Sequence, residues 1–258
     1  VTDNSNSQNF YSEIEKWNDM SPKDGTREFG WAVYYSVIYY ANAIIANKDN
    51  IKEGSQEDID QLVGEAYLLR GYMHFILANL YGQPYTKEGA PETKSIPIKW
   101  DLDLEVVLPR NTVKEVYTAI LSDIESARGL MHQKEWEAVY AYRFSTLSVD
   151  AMESRVRLYM GNWKEAYDAA ERILVQKSTL EDLNDPEAKL PNNYTSAEMI
   201  TAYEFFNDDV TSASILIPVR VDPTFTELQT RSVFAIACGI DSIRSLSAGV
   251  IPLLTSAE

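Results

Sequence analysis

Along the first two-thirds of the chain, apolar positions recur three and four residues apart, the spacing that lays one stripe along a helix. The clearest case is Ile59, Leu62, Val63, Ala66, Leu69, Met73, Ile76, Leu77 and Leu80, a predicted long helix that stops at Gly82 with Pro84 just beyond. Upstream, residues 28–47 (EFGWAVYYSVIYYANAIIAN) are so dense in aromatic and aliphatic side chains that their helix is expected to be nearly enclosed. A third helix opens at Thr112-Val113-Lys114-Glu115, where the threonine hydroxyl and the glutamate carboxylate form a capping box that satisfies orphan helix amides. Its stripe is Val113, Val116, Tyr117, Ile120, Leu121 and Ile124.

Two further helices are predicted over 145–160 and 162–176. Gly161 between them permits a left-handed turn, and Asn162 is placed to cap the second. Small residues at Ala151, Ala166, Ala169 and Ala170, with Tyr159 and Trp163 filling grooves, predict a tight hairpin of tetratricopeptide type. No fixed repeat period accompanies it. Residues 83–110 form a long connection carrying Pro84, Pro91, Pro97 and Pro109, and a connection of that length in a compact domain tends to serve a function. After about residue 180 the pattern breaks: Asp182 to Asn193 is polar, and Ala213 to Val219 reads as a short strand or extended segment. The fold class is therefore mainly α, with an irregular C-terminal portion.

Composition narrows the partners. Lys+Arg 23 against Asp+Glu 39 gives a net charge of -16, a field that repels nucleic acid, anionic membrane surfaces and acidic polymers. Neutral ligands are compatible with it. The single cysteine, Cys238, lies in an apolar run and reads as a buried thiol. No run approaches the length of a membrane-spanning helix, and the polar start, Val1 to Ser7, does not resemble a signal peptide.

The chemistry of an enzyme is hard to find. His74 and His132 are the only histidines; the first falls inside the long helix, where a packed, hydrogen-bonded role is expected, and the second follows a helix end. There is no H-E-x-x-H, no paired-cysteine pattern, no G-x-S-x-G elbow and no Walker loop. Asp101, Asp103 and Glu105 bring three acids together, but they lack the glycine and terminal glutamate of a calcium loop and read as an exposed acidic turn. No pair among the acids stands out as a glycosidase couple. The expectation is a binding protein with no catalytic residues, no metal and no cofactor.

Tyr 16 and Trp 5 are generous numbers. Most of these rings must pack helices, but Trp17, Tyr85, Trp100, Trp136, Tyr140 and Tyr142 fall in or beside loops. Flat rings flanked by amides and acids suit sugar faces and their hydroxyls, which nominates Trp17 with Asn18, Trp100 with Asp101, and Tyr85 and Trp136 as ligand contacts.

Four segments resemble the SusD/RagB family in its own order. Trp31, Tyr35, Ile38, Ala41, Asn42, Ile44 and Ile45 match its W…Y..I..AN.II helix. Glu65 to Phe75 and Asn79 to Pro84 match its EA…LRA…YF helix and Y-G-x-P turn. Pro109 to Tyr117, with Ile120, Asp123, Ile124 and Ala127, matches its PR.TV.EVY segment, and Leu158 to Ala166 matches its LY.G.W..A hairpin.

The resemblance implies one SusD-like domain over 1–258, with a tetratricopeptide-like core at 28–177 and a shortened, irregular part at 178–258. It further implies an outer-membrane, surface-exposed lipoprotein that captures an oligosaccharide or polysaccharide, or in some branches a peptide, for a SusC-type, TonB-dependent transporter. It directs attention to Trp17, since family ligand sites use a loop aromatic upstream of the first matched helix. The family's lipidated cysteine and its late R-Y-A-E-V-x-L-like helix find no match, so a short variant and a truncated chain are both open. The alternative function is a helical-repeat module that holds another protein without binding sugar.

Overall fold

The computed structural model describes residues 31–137, 140, 142–180, 182, 184–187 and 197–202, with the backbone of 235–236. Among these, the fold is mainly α: α1 (Trp31–Ala46), α2 (Gln56–Tyr81), α3 (Val113–Leu130), α4 (Thr146–Tyr159) and α5 (Trp163–Gln176). Short 3-10 turns at Lys48–Asn50 and Ala90–Glu92 interrupt the connections, and Thr201–Ala202 pairs antiparallel with Ala235–Ile236. Ala213 to Val219, Cys238, Trp17 and Asn18 lie outside the described residues.

Among the described residues, helix α2 is the central element. Trp31 meets Tyr81 (ring centroids 4.8 Å apart) while Asn42 meets Arg70, so α1 runs antiparallel to it. On its other side Tyr117 donates to Asn79 and Asp123 pairs with Arg70, so α3 is antiparallel as well. Both long helices start as their sequences require. Ser55 and Asp58 exchange the reciprocal bonds of a capping box at α2, and Thr112 and Glu115 do so at α3.

Packing from two sides changes which face of α2 is buried. The predicted stripe is only partly inside: Val63, Ala66, Met73 and Leu77 are buried, Leu69 and Ile76 are half-buried, while Leu62 and Leu80 are exposed. Leu68, Tyr72 and Phe75, outside that stripe, are buried instead, because a helix with neighbours on opposite flanks has no single apolar face. Helix α1 shows the opposite discrepancy. Only Ile38, Ala41 and Asn42 are buried and Tyr40 is 59% exposed, since α2 covers one side of it rather than enclosing it.

Gly82 does end α2, but in extended backbone (φ -106°), not as a left-handed cap. Glycine is needed there for room: a Cβ would stand 2.6 Å from both the Ala78 carbonyl and the Ser95 hydroxyl. Gly161, at φ 77°, makes the left-handed turn its position predicts. Asn162 starts α5 without a side-chain cap, its own N–H being used on the Arg157 carbonyl at 2.9 Å.

The α4–α5 hairpin closes tightly on Ala151, Ala166, Ala169 and Ala170, all essentially inaccessible. It is tied to α3 by charge: Arg128 and Arg172 both reach Asp150 and Glu153, with bonds of 2.6–2.8 Å. Tyr159 and Trp163 do not fill a groove, as expected, but stay nearly half exposed. Tyr159 makes an edge-to-face contact with Phe75, ring centroids 5.1 Å apart, and is 48% exposed.

Candidate functional site

The long connection between α2 and α3 is fastened in two stages. Its limbs first pair with each other: the Ser95 N–H donates to the Asn111 carbonyl at 2.7 Å, and the Asn111 N–H returns to Ile96 at 3.0 Å. Ile96 is fully buried and anchors the pair in the core, while Arg110 donates to the carbonyls of Ser95 and Tyr81. Residues 97–110 are then an excursion out of this clamp.

The near limb of the excursion is held at almost every residue. Tyr35 donates its phenol proton to the Pro97 carbonyl at 2.6 Å, and burial raises that phenol's pKa well above its ordinary value, so the donor is permanent. The Ile98 N–H donates to Asn111 Oδ1 at 3.0 Å, and the Lys99 N–H to His74 Nε2 at 3.4 Å. Asn42 Nδ2 donates to the carbonyls of Lys99 (3.1 Å) and Asp101 (3.2 Å), the residues on either side of Trp100. His74 is buried inside α2, and desolvation lowers its pKa to about 3, with the Arg70 charge adding to the effect. It is a neutral acceptor for the loop.

Under the excursion lies an ion pair. Arg70 Nε and Nη2 donate to the two carboxylate oxygens of Asp123 at 3.0 and 2.6 Å, and Nη1 donates to Asn42 Oδ1 at 2.8 Å. All three residues are buried. Desolvation pulls the Asp123 carboxyl above its usual pKa, against the opposing pull of Arg70. The guanidinium, fixed by these three bonds, has its central carbon over the rings of Trp100 (4.4 Å from the ring centre) and Tyr67 (5.1 Å).

Trp100 is 47% exposed although the backbone around it is fixed. It borders a shallow, open depression of about 670 Å³ lined also by Glu92, Ile98, Asn111, Thr112, Lys114, Glu115, Thr118, Ala119 and Ser122. Beside it Asp101 accepts from Lys99 Nζ at 2.6 Å, and that bond holds the Asp101 carboxyl below its ordinary pKa. The Asp103 and Glu105 amides donate to Asp101 and Asp103 in successive turns, so the acids organise the loop itself. Among the described residues no group of three metal-ligating side chains converges. The tip beyond carries Leu104 and Val107, 77% and 94% exposed.

The nominated residues are thus brought together only in part. Trp100 and Asp101 are neighbours in the loop, and of the two Trp100 lines the depression. Tyr85 is half-buried against the core, its ring 5.0 Å from that of Tyr117. Trp136 sits in the α3–α4 connection, its indole N–H donating to the Phe144 carbonyl at 2.8 Å and its face covered by Arg143 at 3.9 Å. Arg143 is itself paired with the half-buried Glu65 at 2.7 Å. Tyr140 is 44% exposed beside this cluster.

Asn42, Arg70, His74 and Asp123 escaped the search for ligand contacts because they lie in helices. A signal was present: Asn42, Arg70 and His74 are polar residues in largely apolar stretches, and Asp123 falls at three-and-four spacing from Ile120 and Ala127, while a buried polar group demands a partner.

Comparison with known proteins places this architecture. Residues 1–158 match the SusD-like family model described as "Starch-binding associating with outer membrane". The chain belongs to that SusD-like family. It is 30% identical over 158 residues to a SusD-like protein of Formosa agariphila, covering 61% of this chain and 28% of that protein. A second SusD-like protein of the same organism is 25% identical over 203 residues, covering 77% of this chain and 36% of its own length. The chain therefore spans about a third of the length of these curated relatives. Among solved structures, a SusD-like carbohydrate binding protein from Bacteroides vulgatus superposes with a TM-score of 0.64 at 25% identity, covering 77% of this chain and 40% of that one. A laminarin binding SusD-like protein shares the fold at 19% identity with a TM-score of 0.55, covering 69% and 38% of the two chains.

Proposed function

We propose that this chain captures a neutral oligosaccharide at the surface of the outer membrane and passes it to a SusC-type, TonB-dependent transporter. The observation that carries the reading is Trp100: a half-exposed indole whose flanking carbonyls are both held by one buried asparagine. A strap that served packing alone would bury its tryptophan. Fixing the backbone and leaving the ring at the edge of an open depression prepares a platform whose ordering cost is met before a ligand arrives.

In this reading the C–H face of a pyranose rests on the indole, and Asp101, held ionised by Lys99, accepts from a hydroxyl. The rim of Glu92, Glu115 and Lys114 and the net charge of -16 favour neutral over acidic sugars. Contacts this few in a shallow site place affinity on the order of micromolar to millimolar. Trp17 belongs to the proposal on family resemblance, Asn18 as the amide beside it, and Tyr85 and Trp136 as further contacts away from Trp100. No chemical step is assigned to the protein: His74, the interior histidine, serves as a loop anchor.

Membrane location, lipidation and the transporter partnership rest on family membership. The half-exposed Tyr159 and Trp163 on the α4–α5 hairpin support a protein contact, either with that transporter or, in the alternative function, as the main role. Affinity electrophoresis in gels containing laminarin, starch, mannan or xylan tests the glycan reading, with polygalacturonate as the acidic control. Retardation by at least one neutral polymer is expected. Unchanged mobility in every neutral gel would leave the protein-contact function as the surviving account.

A further inference from the structure

We infer that Arg70 is the positioning residue of the Trp100 platform, and that its ion pair with Asp123 serves to hold the guanidinium against the indole ring. The inference rests on the reading of Trp100 as a glycan platform. Arg70 spends its edge donors within the helices: Nε and Nη2 on Asp123, Nη1 on Asn42. Those three bonds fix the plane of the group, and its central carbon stands over the Trp100 ring, 4.4 Å from the ring centre.

Asn42 closes the arrangement from the other direction. Its carbonyl oxygen accepts from Arg70, and its amide donates to the backbone on both sides of Trp100. One continuous set of bonds therefore runs from α3 through α2 and α1 to the loop, and it ends on a single side chain, reached through its ring face and its backbone. A buried ion pair is a poor stabiliser by itself, because desolvation cancels much of the attraction. Arginine suits the role better than lysine, whose ammonium can pair with Asp123 or approach the ring but lacks the donors to hold Asp123 and Asn42 together while covering the indole.

The test uses protein labelled with fluorotryptophan and read by fluorine NMR. The Trp100 resonance is assigned by its loss in Trp100→Phe. Arg70→Met/Asp123→Leu replaces the pair with apolar side chains of similar bulk and leaves no charge unpaired, and Arg70→Lys keeps the charge but not the plane. In both, the Trp100 resonance should shift and broaden while the remaining tryptophan resonances hold. Affinity for the neutral polysaccharide that most retards the wild type should fall roughly threefold to tenfold. An unmoved Trp100 resonance in the folded double variant would make Arg70 a purely structural residue and overturn the inference. So would affinity lost in Trp100→Ala but retained in the double variant. If the resonance moves while affinity is unchanged in both the double variant and Trp100→Ala, the positioning stands and the glycan reading at Trp100 is what fails.

Discussion

The Asp123 carboxylate takes two hydrogen bonds from Arg70, at 2.6 and 3.0 Å, in a place where both side chains are almost wholly removed from water. Removing one partner strands the other. Arg70→Met alone should destabilise the fold by about 3–5 kcal/mol, the range for an uncompensated buried charge. Arg70→Met/Asp123→Leu should recover most of that loss. Urea denaturation of the two variants measures both values, and equal stability in single and double variants would show that Asp123 finds another partner.

Core substitutions should separate the observed face of α2 from the one its periodicity suggests. Leu77 is fully buried, so Leu77→Ala should cost about 2–5 kcal/mol. Leu62 is 37% exposed, and Leu62→Ala should stay within about 1 kcal/mol of wild type. Denaturation midpoints at constant slope are the check, and comparable losses in the two would restore the simple stripe.

Those two leucines show what the sequence made legible. Three-and-four spacing located the long helices, and the capping box at Thr112 and Glu115 formed as expected. The buried face did not follow, because Leu62 and Leu77 carry equal hydrophobicity and only the placement of α1 and α3 distinguishes them. The same applies to the site. Trp100 and Asp101 were visible as an aromatic beside an acid in a proline-marked loop. That Asn42, 57 residues upstream of Lys99, fixes the loop is a tertiary fact with no local pattern.

Acidity should loosen the same attachment. His74 has its pKa lowered from 6.5 to about 3 by burial. Below about pH 6.5 the unfolded chain binds a proton there that the folded protein refuses, so stability present above that pH is lost as pH falls toward 3. Glu65 and Asp123, raised by burial, act in the opposite direction but are common to wild type and variant. His74→Gln, which retains an acceptor for the Lys99 N–H, should therefore lose less stability than wild type between pH 7 and pH 4.5, read as urea midpoints. Parallel losses in the two proteins would mean that His74 takes up its proton while folded.

The left-handed turn at Gly161 gives a local check on the hairpin. A side chain there meets backbone strain at φ 77° and the Thr86 methyl at 3.3 Å, so Gly161→Ala should cost about 1–2 kcal/mol. Thermal unfolding would register it, and a neutral result would imply that the α4–α5 turn relaxes freely.

The central claim is that Trp100 is presented to a sugar. Isothermal titration of wild type and Trp100→Ala, using the neutral polysaccharide that retards the wild type most in affinity gels, tests it directly. The substituted side chain is half exposed, so circular dichroism should confirm an unchanged fold. The account predicts that binding weakens by at least about tenfold, or falls below detection, in Trp100→Ala. Equal affinity in the two folded proteins would contradict it.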